Sequence, residues 1–410
     1  MRTINNSHKL ALFSGVFHST RMLIGALQAL YLLETGVSLN NLAFLKAYFA
    51  LLVLIFDVPF GMLGDFISNK ICIYFSCIFV ALYYFFSLYS PDLTFLIIAE
   101  SFYAMGLCLI SGSLESLLVF SVRNEYQDGN SKISYFYFLS GEIMSIGSMI
   151  AAPLGVIIFI LNGDMRSIYL LSFIFVLILP CLIYKIDETS LHTKKIKKTI
   201  NKSYFKNILL NNNNFIYITV SSLVVIAYQP IYHFWQPLFI RFSGGNFPSL
   251  FLRDKNKNTA IILAFVFFIY SLSNYIANKV AKNKLSINND SFRTTTLVSF
   301  LLLTSILVMI FVPETRLFLL IAVFSCAHGF MTVFSNLTKS VLIAGTEKQQ
   351  IATVISLSNV LGRLFSTIIL FLCSLLINND MLQYVFILTF ISIMIATVIY
   401  LKDHPNRILT

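Results

Sequence analysis

The sequence predicts an all-α integral membrane protein with about twelve transmembrane helices, and three observations carry that reading. Of its 410 residues, 57% are hydrophobic and only 11% are charged, where a soluble domain carries about 25% charged residues. Too little polar surface is left to face water, and the mean hydropathy of +0.81 agrees. Apolar runs of roughly 18 residues or more recur from end to end, each long enough to cross a hydrocarbon core of about 30 Å. The charges sit mostly in the short connections between those runs, as loops on the two sides of a bilayer require. The net charge of +11 is therefore read as membrane topology. No aromatic-interleaved basic patch lies outside the spans, so no nucleic-acid partner is expected.

Polar breaks delimit the elements in order. The run from Leu10 to Leu33 is longer than a secretory h-region and lacks an A-x-A cleavage site, so it is read as the first span, 10–33. Glu34-Thr-Gly36 ends it, and a second span near 42–64 closes on Gly64-Asp65. The third, near 70–89, begins at Lys70 and stops at Ser90-Pro91. The fourth, near 93–121, runs into Arg123, and the fifth, near 132–161, into Asn162-Gly-Asp164. The sixth, near 166–184, meets the one long polar segment, 185–214, with seven lysines from Lys185 to Lys206 and then Asn211 to Asn214. Six more spans are expected near 215–242, 257–281, 292–312, 316–343, 349–377 and 381–402. The chain thus divides into an N-terminal six-helix half, 1–184, a basic cytoplasmic linker, 185–214, and a C-terminal six-helix half, 215–410.

Placing both termini in the cytoplasm puts twenty of the 29 Lys and Arg residues inside and seven outside, with Arg21 and Arg363 within spans. Lys46 is among the seven outer charges in that count. The bias favours an even number of spans with both ends inside. A faint repeat supports two parallel halves: Gln28-Ala-Leu-Tyr-Leu-Leu-Glu-Thr-Gly36 lines up with Gln236-Pro-Leu-Phe-Ile-Arg-Phe-Ser-Gly244, three of nine positions being identical. The six cysteines, Cys72, Cys77, Cys108, Cys181, Cys326 and Cys373, lie in apolar runs with no CxxC pair and no His/Cys metal spacing. They are read as buried free thiols, and no metal or cofactor is expected.

The second span ends with Asp57-Val-Pro59-Phe-Gly61-Met-Leu63-Gly64-Asp65, followed by Lys70. This resembles the major facilitator superfamily signature at the junction of helices 2 and 3, where glycines permit close helix approach and the aspartate meets a helix N-terminus. Phe66, Ser68 and Asn69 stand where that family usually has basic residues or glycine. Ser111-Gly-Ser-Leu-Glu115, Ala152-Pro153-Leu-Gly155, and Ala352-Thr-Val-Ile-Ser356 through Arg363 are similar to segments of its bacterial drug-exporter-like members. The resemblance implies two six-helix halves around a central cavity, with Gly61, Gly64, Asp65 and Lys70 as a conformational switch. An antibiotic self-immunity exporter of the microcin C type is a narrower case of it.

Ionisable residues inside spans are costly, about 2.5–3.5 kcal/mol each on insertion scales, and so point to function. His18, Arg21, Gly25 and Gln28 are spaced by three, four and three, which places them on one helical face. That stripe reads as a wall of a water-filled cavity, or else Arg21 is a structural counter-ion between helices. Asp57, Glu100, Glu115 and Glu142 are the buried acids with the chemistry that proton coupling needs. A carboxyl group in a dry site is harder to ionise, and one beside a guanidinium is easier. Asp57 and Glu115 lead because they fall in the family-like segments; for each acid a structural ion pair or cap is the competing reading. Glu100 and Glu115 share a helix about 22 Å apart along its axis.

The seventh span contains Tyr228-Gln229-Pro230-Ile-Tyr232-His233-Phe234-Trp235-Gln236-Pro237, with the only tryptophan. Tyr228, Gln229, Tyr232, His233 and Trp235 suit an aromatic or amphipathic substrate; an interfacial aromatic belt is the competing reading for Trp235. Arg363 either faces the cavity or pairs with an acid, and Gly362 beside it allows close packing.

No Walker A, GxSxG or HExxH sequence is present, so the chain is not expected to be an enzyme or to couple ATP hydrolysis. A membrane enzyme would need clustered catalytic groups near an interface, and a receptor a longer polar module. The expectation is a monomeric secondary transporter of the plasma membrane, the inner membrane in a bacterium. It would export a small toxic molecule, drug or peptide-like antibiotic in exchange for protons by alternating access, with a proton-coupled nutrient importer as the alternative.

Overall fold

In a computed structural model, the residues described are 5–89, 92–126, 129–184, 186, 212–246, 254–284, 291–313, 316–344, 351–376 and 382–403. The helices are α1 (Asn6–Gly25), α2 (Gln28–Glu34), α3 (Leu39–Phe66), α4 (Asn69–Tyr89), α5 (Leu93–Glu125), α6 (Gly129–Asn162) and α7 (Arg166–Ile178). They continue with α8 (Asn212–Asn246), α9 (Lys255–Lys284), α10 (Ser291–Phe311), α11 (Leu317–Ala344), α12 (Ile351–Leu376) and α13 (Val385–Asp403). Among the described residues nine helical stretches are long and apolar enough to span a membrane, α1 and α2 counting as one stretch, Asn6–Glu34. Arg166–Leu182 and Thr295–Phe311 are shorter apolar helices. α8 adds a thirty-five-residue helix, whose apolar content is diluted by Gln229, His233 and Gln236.

Local chemistry explains where the ends fall. α3 starts three residues before the expected span because Ser38 caps it, accepting the Asn41 N–H at 3.2 Å. Gly36 and Gly163, at φ of 94° and 74°, make the turns into α3 and α7 that a residue with a Cβ resists. Near its C-terminal end α7 tightens into a 3₁₀ turn at Leu179–Leu182, because Pro180 removes a backbone donor and clashes with the preceding turn. α8 runs unbroken through Pro230 and Pro237.

The pattern of neighbours repeats. In the first half α1 packs on α5, α6 and α7, α3 on α5, and α4 on α5 and α7. In the second, α8 packs on α11, α12 and α13, α9 on α11, and α10 on α11 and α13. Each of these contacts in one half has its counterpart in the other. The two most extensive contacts between the halves, α3 with α12 and α6 with α9, exchange under the same correspondence, and α8 also meets α2 and α3. This is the architecture of two six-helix halves packed about a central axis. The tightest approach is between α1 and α6, where a Cβ on Gly155 would overlap the Leu23 carbonyl and one on Gly147 would overlap the Ser19 side chain. The Ala152–Gly155 segment is thus a contact surface, since small residues let backbones come together.

The outward surface is apolar at helical spacing: Ile150, Leu154, Ile157 and Leu161 form an exposed stripe along α6, as contact with lipid tails requires. Cys181 and Cys326 are exposed, which corrects the expectation that all six thiols are buried; the apolar runs that hold them present a lipid-facing side as well as a core side. Lys46 corrects the count of outer charges, because it is buried within α3. The linker 185–214 lies outside the described residues except for Ile186 and the start of α8. Lys70 reaches its beginning, donating to the carbonyls of Tyr184 at 2.6 Å and Ile186 at 3.0 Å.

Candidate functional site

The repeated packing leaves two chambers along the interior that share no lining residue. The larger, about 410 Å³, lies within the roughly 300–1,000 Å³ of ligand sites. It sits towards the N-terminal part of α1 and the C-terminal part of α3. The smaller, about 50 Å³, lies further along α1 and is lined by polar groups and aromatic rings together.

Asp57 and Arg363 face each other across the larger chamber, Nη1 to Oδ1 being 2.9 Å, although the N–H is not aligned to donate. The pair joins α3 to α12, one helix from each half. Ser111 reaches Asp57 Oδ1 at 3.4 Å, from α5. Gly362 sets the approach of α12, since a Cβ there would press on Val225 of α8. His18 and Gln229 line the same chamber.

The smaller chamber is built around two cations. Lys46 on α3 donates to Glu100 on α5 at 2.7 Å, with both side chains under a tenth exposed. Such a pair persists only when its geometry offsets the desolvation of both charges. Arg21 on α1 is held differently: its guanidinium lies 4.6 Å from the Tyr103 ring centroid and 5.6 Å from that of Tyr232. Cation–π contacts stabilise by about 0.5–2 kcal/mol each. Gln28 donates to the Tyr83 hydroxyl at 2.9 Å. Trp235, 4% exposed, packs with Phe239, Phe267, Tyr270 and Phe324, so it belongs to the interior and not to an interfacial belt.

One residue closes the far end. The first span breaks at Ala26–Leu27, between α1 and α2, freeing backbone groups that need partners. Gln236 of α8 supplies them from the opposite half, its Nε2 donating to the Gly25 carbonyl and its Oε1 accepting the Ala29 N–H at 2.7 Å. Two such bonds contribute about 1–3 kcal/mol net. Gln236→Leu is therefore expected to shift the population roughly tenfold or more towards opening at this end. The check is labelling of Leu42→Cys, in a chain lacking its other cysteines, by an impermeant maleimide from that face; unchanged labelling removes Gln236 as the closure.

The sequence stripe of His18, Arg21 and Gln28 is interior, but split: His18 opens on the larger chamber, Arg21 and Gln28 on the smaller. The division falls within α1, between His18 and Arg21, whereas Arg21 and Gln28 share a chamber across the break before Gln28. Tyr232 and His233 line the smaller chamber. Tyr228 lines neither and packs instead on Tyr232 and His328, because α8 turns it into the second half. Glu142 lines neither chamber. Glu100 is engaged in the buried ion pair with Lys46. The surroundings of Gly61 and Gly64 and the side chains of Asp65 and Glu115 lie outside what is described.

Sequence reasoning missed Lys46, Tyr83, Tyr103 and the bridging role of Gln236. A lysine within an apolar run was the available signal for Lys46. The tyrosines had none, being two of 20. A sequence model described as Major Facilitator Superfamily matches residues 10–370. No curated protein matches the chain.

Proposed function

The chain belongs to the Major Facilitator Superfamily and is a secondary transporter of the bilayer, and we propose that it exports a small toxic molecule, drug or peptide-like antibiotic in exchange for protons. The observation that carries proton coupling is the Asp57–Arg363 pair, which ties one half to the other across the larger chamber. Ionised, Asp57 holds α12 through Arg363; protonated, it gives up the charge attraction and releases it. Proton supply at the open face thereby biases which way the halves rock. In this reading the larger chamber takes substrate from the side carrying the N-terminus, which we place in the cytoplasm. Residues 1–184 and 215–410 are the rocking bodies, and Glu115, in the exporter-like segment, is the second candidate for coupling.

Export rests on the drug-exporter-like segments and on the aromatic wall of Tyr232, Trp235 and Tyr270. In a drug-sensitive bacterial strain expressing the chain, accumulation of labelled antibiotics and peptides is expected to fall, and to recover when a protonophore is added. Accumulation that rises with expression and falls with the protonophore would instead establish the nutrient importer.

A further inference from the structure

We propose that the transported molecule is an amphipathic organic acid whose carboxylate seats on Arg21. The inference rests on the reading that substrate passes through this interior, and it adds the substrate's charge.

Two fixed cations, Arg21 and Lys46, stand at the smaller chamber, and the acid beside them, Glu100, is bonded to Lys46 at 2.7 Å. No hydrogen bond or ion pair engages Arg21 among the described residues; its contacts are the ring faces of Tyr103 and Tyr232. A guanidinium held only by ring contacts, with no hydrogen bond made to it, keeps its donors for a ligand, and they form the planar fork that a carboxylate accepts in bidentate fashion. No carboxylate lines this chamber. In the larger one, Asp57 is already matched by Arg363. Among the described residues the interior therefore offers a free cation to an anion and no free anion to a cation.

Size divides the ligand in the same way. The smaller chamber, about 50 Å³, suits a headgroup, while the larger, about 410 Å³, suits an apolar body. Arg21 and His18, one turn apart on α1, open on the two in succession. Tyr103 comes from α5 and Tyr232 from α8, so Arg21 lies on the seam between the halves, where a bound anion acts on both.

Trp235, the only tryptophan, lines the same chamber as Arg21, so selectively excited tryptophan emission arises at this site. The purified full chain would be titrated, with no gradient, with N-acetyl-leucyl-leucine, its uncharged C-terminal amide, and cationic leucyl-leucine amide. The acid is expected to give a saturable change and to bind about tenfold or more tightly than either amide. Arg21→Gln is expected to remove that preference and Arg21→Lys to keep part of it, with melting curves confirming folded protein. Equal or tighter binding of either amide by the unaltered chain, no response to the acid, or an undiminished preference in Arg21→Gln overturns the proposal. Acid binding without proton-driven export would sink the exporter reading and leave this one standing; export with no preference for acids would do the reverse.

Discussion

Asp57→Asn is expected to reduce proton-driven export to the level of cells lacking the protein, while the chain still folds and still binds substrate. An amide fills the space of the carboxyl and keeps a hydrogen-bonding oxygen, but it neither takes up nor releases a proton. The Arg363 and Asp57 side chains are 28% and 21% exposed, and their N–H and carboxylate are not aligned as a hydrogen bond. Loss of the charge attraction is therefore expected to cost less than the loss of about 3–5 kcal/mol for a fully buried pair. The variant thereby separates coupling from folding. Reconstituted in vesicles, it is expected to exchange labelled for unlabelled substrate but not to respond to an imposed pH gradient. Arg363→Gln breaks the same pair yet leaves a titratable acid, so part of the gradient response should remain. A full gradient response in Asp57→Asn would move the coupling acid elsewhere, with Glu115 the first place to look.

What was legible in the sequence follows from the period of its polar interruptions. Each span had to be long and apolar, so both the run and its breaks are visible, and the ends of α4 and α9 fall within a few residues of expectation. Corrections came where one side chain overrides the hydropathy: Ser38 lengthens α3 through a cap, and Pro180 tightens the end of α7. The candidate site was half legible. Charges within apolar runs, Asp57 and Arg363 above all, announce themselves because the membrane makes them costly. Their partners depend on which helices become neighbours, and that depends on packing between segments hundreds of residues apart. Lys46 illustrates this: near a predicted helix end it resembles a loop charge, and only the position of α5 reveals Glu100 beside it. Gln236 bridges to Gly25 and Ala29, more than two hundred positions away, while its counterpart in the repeat, Gln28, stays within its own half with Tyr83. The repeat was therefore visible, but the asymmetry that closes the chamber was not.

Glu100→Gln carries the largest expected effect on stability. Lys46 and Glu100 are almost wholly enclosed, with side chains 8% and 6% exposed. Deleting the carboxylate charge leaves an ammonium group in a low-dielectric site with no counter-ion, a loss of about 3–5 kcal/mol. The melting midpoint in detergent should fall accordingly, and Lys46→Met alone should do nearly as much by stranding the acid. The double variant Lys46→Met/Glu100→Leu removes both charges together and is expected to melt much closer to the unaltered chain, since apolar replacement of a buried pair is often neutral or better. A strongly positive coupling between the two sites would identify the pair as structural. The same cycle tests whether Glu100 carries protons: if it does, the double variant will be stable but uncoupled, whereas a structural pair leaves the response to a pH gradient in place. The double variant removes one positive and one negative charge near Arg21 together, so affinity for an acidic ligand should change little in it. Retained acid binding there, with gradient-driven transport also retained, would place stability in Lys46–Glu100, coupling in Asp57–Arg363 and recognition in Arg21.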